Sequence, residues 1–217
     1  MIKNTVFISF VIRALWPLKP LSPLLFSRRM EGFSYFFKRA DFCSVISNFS
    51  KILFVYLIFI ISNHSISRNE SKIFSSISTA FALISTIVLL INYFVQFSVV
   101  PISMIKGEKD GIPLITQYND HGIFIAMEEL GYITMSISFL FLGLIFTSKN
   151  RLERSIRFIL FFQFLFTVLS FIYYSLKFGI DRSYRFEVAT ITINWLTVII
   201  VGILISILIK NRLKIIK

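Results

Sequence analysis

Tyr118-Asn-Asp-His-Gly-Ile-Phe-Ile-Ala-Met-Glu-Glu-Leu-Gly-Tyr132 runs without a break into the apolar segment from Ile133 to Phe146. The stretch holds one of the chain's two histidines and a pair of adjacent carboxylates. No other part of the chain carries acids inside so long a hydrophobic run. About 20 mostly apolar residues suffice to cross a bilayer as a helix, so the segment from 122 to 146 reads as a membrane span with acids in its first turns.

The rest of the chain repeats the pattern without the acids. Apolar runs at roughly 42–62, 73–100, 156–176 and 188–209 are each of spanning length. Of the 217 residues, 56% are hydrophobic, 26 are Phe, and the mean hydropathy is +0.78. Soluble domains contain less apolar residue than this, even counting glycine. The expected fold is therefore all-α: a transmembrane bundle of five spanning helices over 42–209, with a basic tail at 210–217.

Residues 1–41 differ from the rest. Thr5 to Ile12 is apolar, but Arg13 ends it, and Pro17, Pro20 and Pro23 follow closely. No A-x-A-like cleavage site follows the short apolar core, which argues against a signal peptide. Arg28 to Arg39 mixes bases with aromatic residues, a composition suited to the membrane interface. The segment reads as an interfacial or poorly ordered arm.

The net charge of +12, in so apolar a chain, points to loops that rest on anionic headgroups and not to nucleic acid. Five spans place the 63–72 loop, the 147–157 loop and the tail on one side, with ten Lys and Arg; the opposite loops hold five, and the N-terminal arm adds seven. Counted over short loops, the positive-inside rule puts the C-terminus in the cytoplasm, while the basic arm argues the other way. A single cysteine, Cys43, excludes an internal disulfide. His64, in a short polar loop, reads as solvent-exposed.

At 100° per residue, His121 and Glu128 lie about 20° apart on a helix, and Tyr132 about 40° beyond Glu128. If the helix already includes His121, the three make one polar stripe, with Glu129 on its flank. Acids within hydrocarbon are costly unless protonated, paired or wetted, and two desolvated neighbours resist joint ionisation. The functional reading is a polar pocket near one membrane face. Its further candidates are Asn92 and Gln96, four apart on one face of the second span, and Asn194 and Trp195 of the fifth, with Tyr118, Asn119 and Asp120 as rim. The competing reading leaves Glu128 and Glu129 at headgroup depth, or paired with Arg182 or Arg185. Asn92, Gln96 and Gln163 also suit the role of glue between helices.

Catalytic templates mostly fail. The E-E-x-x-x-R pattern of CAAX-type glutamic intramembrane proteases meets Ile133 where its arginine belongs, and no histidine follows His121. Two histidines make a multi-histidine metal centre improbable; a zinc site forced from Asp120, His121 and Glu128 is poorly supported, and no metal is expected. An acid/base isomerase using a buried Glu is chemically conceivable, but nothing demands it. There is no P-loop, Gly-rich nucleotide fingerprint or cysteine pair, and the residues name no cofactor. Three functions stay open: binding or moving a small molecule or ion, a membrane enzyme with Glu128 as acid/base on a lipid-like substrate, and a structural or partner-binding subunit without catalysis.

Asn92-Tyr-Phe-Val-Gln96, Pro101, Gly107-Glu108, Gln117-Tyr-Asn-Asp-His-Gly122 and Glu128-Glu-Leu-Gly-Tyr132, continued by Gly179 to Glu187 and Asn194-Trp195, resemble a family of uncharacterised bacterial and archaeal multi-pass membrane proteins. The resemblance covers roughly 73–209. It implies a small integral membrane protein and brings no activity, substrate or cofactor.

Overall fold

The computed structural model describes residues 51–108, 110–147, 150–179 and 183–215. The N-terminal arm, and the first part of the expected 42–62 span, lie outside them. Tyr56 begins the compact unit to which the following helices belong, and helix α1 (Lys51–Ser65) enters it there. The other helices are α2 (Lys72–Ser98), α3 (Val100–Lys106), α4 (Ile112–Ile115), α5 (Ile123–Ile145), α6 (Arg151–Phe178) and α7 (Ser183–Ile215). Among the described residues there is no strand.

Four stretches are long and apolar enough to cross a membrane: α2 with α3, α5, α6 and α7 from Arg185 to Asn211. The described part of α1 falls below that length, so the described residues hold four candidate spans where five were expected. They form an all-helical bundle with an apolar outside, as suits a membrane protein. Ile84, Ile91, Phe94, Phe158, Leu169, Ile203 and other large side chains are exposed along the long helices. Such a surface is a liability in water and natural in lipid.

Each helix end has a local cause. Pro101 cannot donate to the preceding turn, and α2 gives way to α3 at Val99, whose own N–H still bonds the Val95 carbonyl at 3.0 Å. The helical course does not end at residue 100, the expected limit of the second span, but continues to Lys106. The Asn119 side chain accepts the His121 N–H at 3.1 Å, and the Gly122 N–H donates to the Asn119 carbonyl at 2.8 Å. This side-chain turn delays the start of α5 to Ile123. A Cβ at Gly122 would stand 2.8 Å from the Leu114 carbonyl oxygen, so the loop closes only over glycine. At the opposite face, the Asn150 side chain caps α6 by accepting the Leu152 N–H at 3.2 Å, and Glu153 in the first turn complements the helix dipole. α6 and α7 overrun the expected 156–176 and 188–209, because their terminal turns accept charged residues that end a purely apolar run.

The helices run up and down, with α5 at the centre. Of its most apolar stretch 56% is buried, against 28–33% for the other three spans. Its partners α2 and α6 are antiparallel to it and α7 is parallel. The α2–α5 contact depends on small residues. Ser78 Oγ donates to the Ser138 carbonyl at 2.9 Å, Ser138 Oγ returns a bond to the Ser78 carbonyl at 2.8 Å, and Ser85 Oγ donates to the Gly131 carbonyl at 2.8 Å. A Cβ on Gly131 would lie 2.6 Å from the Leu89 side chain. Backbones approach this closely only where a side chain is missing. α1 joins through the Tyr56 ring, edge-on to Phe139 at 5.5 Å. His64 is not a loop residue in the solvent: it ends α1, half-buried, with Nδ1 2.7 Å from Ser75 Oγ. The 63–72 stretch is therefore partly folded into helix.

Candidate functional site

α5 presents Glu128, Tyr132 and Ser136 at successive turns, all buried; Glu128 is 5% exposed. Spacing of four keeps them on one side of the helix. Glu128 points into the bundle, not to the headgroup layer. The Tyr93 hydroxyl, from α2, donates to Glu128 Oε1 at 2.6 Å and lies 3.1 Å from the Tyr132 hydroxyl. From α7, Glu187 brings its carboxyl group close enough to the Glu128 carboxyl for the two to interact. Glu187 is itself buried, at 7% exposure. Trp195 closes the group, its ring edge-on to Tyr132 at 6.3 Å. Its indole N–H is buried beside Tyr132 but out of hydrogen-bond geometry with any acceptor.

One helical turn deeper is a second polar group, without charge. Gln163 Nε2, from α6, donates to Ser136 Oγ at 2.8 Å and to Asn194 Oδ1 at 3.1 Å. Ser136 Oγ lies 3.1 Å from Thr167 Oγ1, and Asn194 Nδ2 donates to the Thr190 carbonyl at 2.8 Å. Gln163 Oε1 is buried with no partner. A desolvated acceptor left open in this way is costly; an amide oxygen can accept from a donor or coordinate a cation. Gln163 is the thirteenth residue of α6 and Asn194 the twelfth of α7, so this group lies about 17 Å along each helix, near mid-span.

The candidates named from the sequence do not form one pocket. Glu128 and Tyr132 share the carboxyl site, and Trp195 borders it. Asn194 belongs to the deeper, uncharged group. Asn92 and Gln96 are buried on one face of α2 but serve the backbone: Asn92 Nδ2 donates to the Phe124 carbonyl at 2.9 Å, and Gln96 bonds the Ile115 carbonyl and the Gln117 N–H. They hold the 107–122 loop and the start of α5 against α2. His121 stands before the helix begins, exposed, and does not share a stripe with Glu128; the Asn119 turn is the reason. Glu129 is half-buried beside the site, and with Asp120 it acts electrostatically on Glu187. At the rim, Tyr118 is 79% exposed and Asp120 is exposed, while Asn119 spends both ends of its amide on loop backbone.

Of the two arginines weighed as partners for the acids, Arg185 lies over the Phe178 ring at 4.2 Å and Arg182 is outside the described residues. The sequence reading missed Glu187, which was assigned to a loop, and did not propose Gln163, Thr167 and Ser136 as a group. A signal for Glu187 existed: Glu187, Thr190, Asn194 and Thr197 recur at helical spacing, and all four are buried. Among the described residues, no three His, Cys, Asp or Glu side chains converge as metal ligands. No family model matches the chain, and neither a curated protein nor a solved structure does.

Proposed function

We propose that this membrane protein binds, and passes through its bundle, a proton or small cation at Glu128 and Glu187. The observation that carries the reading is the burial of two carboxyl groups, Glu128 and Glu187, close enough on neighbouring membrane helices to act on one another. Two carboxylates cannot both remain charged when desolvated together. The pair therefore holds either a proton or a cation that replaces it, and exchange between the two is a transport or sensing chemistry. Tyr93 and Tyr132 supply hydroxyls that orient the acceptor, and the acids Glu129 and Asp120 draw cations to the mouth. The unpartnered Gln163 Oε1, beside Asn194 Oδ1, extends acceptor chemistry one turn deeper.

The proposal includes a fifth span, completed by residues before Lys51, and a cytoplasmic C-terminus in a prokaryotic cell membrane, as the ten bases on that side favour. The carboxyl pair then faces the opposite side. Kinship with the uncharacterised multi-pass family belongs to the same proposal, since its motif residues include Glu128, Glu187 and Asn194.

The test is proton release. Purified protein in weakly buffered detergent is titrated with sodium, potassium or ethylammonium chloride. At least one of these releases about one proton per chain, and Glu128→Gln/Glu187→Gln abolishes the release. No release with any of the three, or equal release from the double variant, contradicts the reading.

A further inference from the structure

The uncharged group between α5, α6 and α7 is short of hydrogen-bond donors. Gln163 Nε2 stands among three oxygens, one from each helix: Ser136 Oγ of α5 at 2.8 Å, Asn194 Oδ1 of α7 at 3.1 Å and Thr167 Oγ1 of α6 at 3.3 Å. Two N–H bonds cannot serve three acceptors. The other end of the same amide, Oε1, is buried without a donor among the described residues. Which end is which follows from the neighbours. The Thr190 carbonyl only accepts, so Asn194 meets it with Nδ2, at 2.8 Å. Asn194 Oδ1 then faces Gln163, which must offer Nε2 and leave Oε1 over. Gln163, Ser136, Thr167 and Asn194 are each at most 3% exposed, so bulk water does not make up the shortfall.

We propose that these four side chains form a binding site for a dehydrated monovalent cation of about potassium's size, an alkali ion or ammonium. The inference rests on the reading of the bundle as an ion path and names the class of ion. The amide NH2 of Gln163, the positive end of its dipole, marks the centre of the nest. A cation taking its place meets oxygens at 2.8, 3.1 and 3.3 Å, longer than the roughly 2.0–2.6 Å that magnesium and calcium require. Those ions also call for carboxylates, and none belongs to this group. The terminal torsion of glutamine is broad and two-fold, so half a turn brings the unpartnered Oε1 in beside the other oxygens. Neutral oxygens of this kind can replace an ion's hydration shell inside a membrane. Amides and hydroxyls do not take up a proton at neutral pH, so the ion held here differs from the proton that the carboxyl pair can hold.

The chain has three glutamines, Gln96, Gln117 and Gln163, so nitrogen-15 labelling of their side chains gives a readable spectrum of the full-length protein in detergent. Potassium, ammonium, sodium and calcium chlorides are added in turn at constant ionic strength. The Gln163 amide resonance, identified by its loss in Gln163→Met, is expected to move saturably with potassium, ammonium or both, and to stay in place with sodium and calcium. Movement with potassium assigns the site to an alkali ion, and movement with ammonium alone to ammonium. Thr167→Val keeps the side-chain shape, removes one oxygen and raises the half-maximal concentration roughly tenfold. A resonance indifferent to all four salts, as a structural water would leave it, overturns the site, and that result needs only the wild-type protein to fold. Equal movement with sodium or calcium, or a response that Thr167→Val leaves unchanged, also overturns it. Proton release without this movement sinks the inference alone; movement without proton release sinks exchange at the carboxyl pair alone.

Discussion

The two halves of α5 meet the same neighbours with opposite chemistry. From Ile123 to Ser136 the helix turns Glu128, Tyr132 and Ser136 inward, against Tyr93, Glu187, Trp195, Gln163 and Asn194. Beyond Ser136 its inward residues include Phe139 and Leu142, both fully buried. At corresponding levels α6 buries Ile156 and Leu160, and α7 buries Val201 and Ile205. Gly143 lets Leu160 approach closely, 3.3 Å from where a Cβ would stand. One half of the interface is thus a run of acceptors and hydroxyls that begins at a membrane face and stops near mid-span. The other half is an apolar seal toward α6 and α7, joined to α2 by the Ser78–Ser138 pair. On the proposed reading a cation or proton would reach the carboxyl pair from one face, and passage to the other would require the apolar half to open. Exchange would then be a property of the first half and stability chiefly of the second.

Substitutions in the two halves should separate these effects. Leu160→Ala in the seal removes a fully buried side chain. It is expected to lower the unfolding free energy in mixed micelles by about 3 kcal/mol, while cation-linked proton release stays at one per chain. A loss of release without a loss of stability would erase the division. Gly131→Val forces a side chain into Leu89 and is expected to cost roughly 2 kcal/mol in the same assay by parting α2 from α5. It should also weaken release, since Tyr93 then draws away from Glu128. Tyr93→Phe removes the donor to Glu128 Oε1. It is expected to cost about 1 kcal/mol and to change the cation concentration at half-maximal release, the reverse of the Leu160→Ala pattern. Ser78→Ala, in the uncharged α2–α5 seam, is expected to cost about 0.6 kcal/mol with no change in release. A change of release at Ser78 would show that the seam and the site are coupled.

Much of the architecture is legible in the residues. Hydrophobic length locates α2, α5, α6 and α7 because a spanning helix must be apolar for about 20 residues, and the shared face of Glu128 and Tyr132 follows from their spacing. Helix ends are less legible. The start of α5 depends on the Asn119 turn, a local capture of the His121 N–H, and extrapolating the helix back to His121 overlooks that competition. Glu187 is hidden by its setting: it follows Arg182 and Arg185, so a charge-based boundary discards it with the loop, although helical periodicity continues through it. Gln163 and Asn92 illustrate a different limit. Both are amides in apolar runs, yet one joins a polar network between α5, α6 and α7 and the other holds a backbone carbonyl of α5. Only the neighbours on other helices distinguish them, and pairing between helices is not written in any one segment.

The central claim, that Glu128 and Glu187 share a proton until a cation replaces it, is tested most directly by infrared spectroscopy of the protein in lipid at neutral pH. The account predicts a protonated-carboxyl carbonyl band that disappears in Glu128→Gln/Glu187→Gln and diminishes when the exchanging cation is added. A wild-type spectrum without that band, or a band that the double variant leaves unchanged, would contradict it.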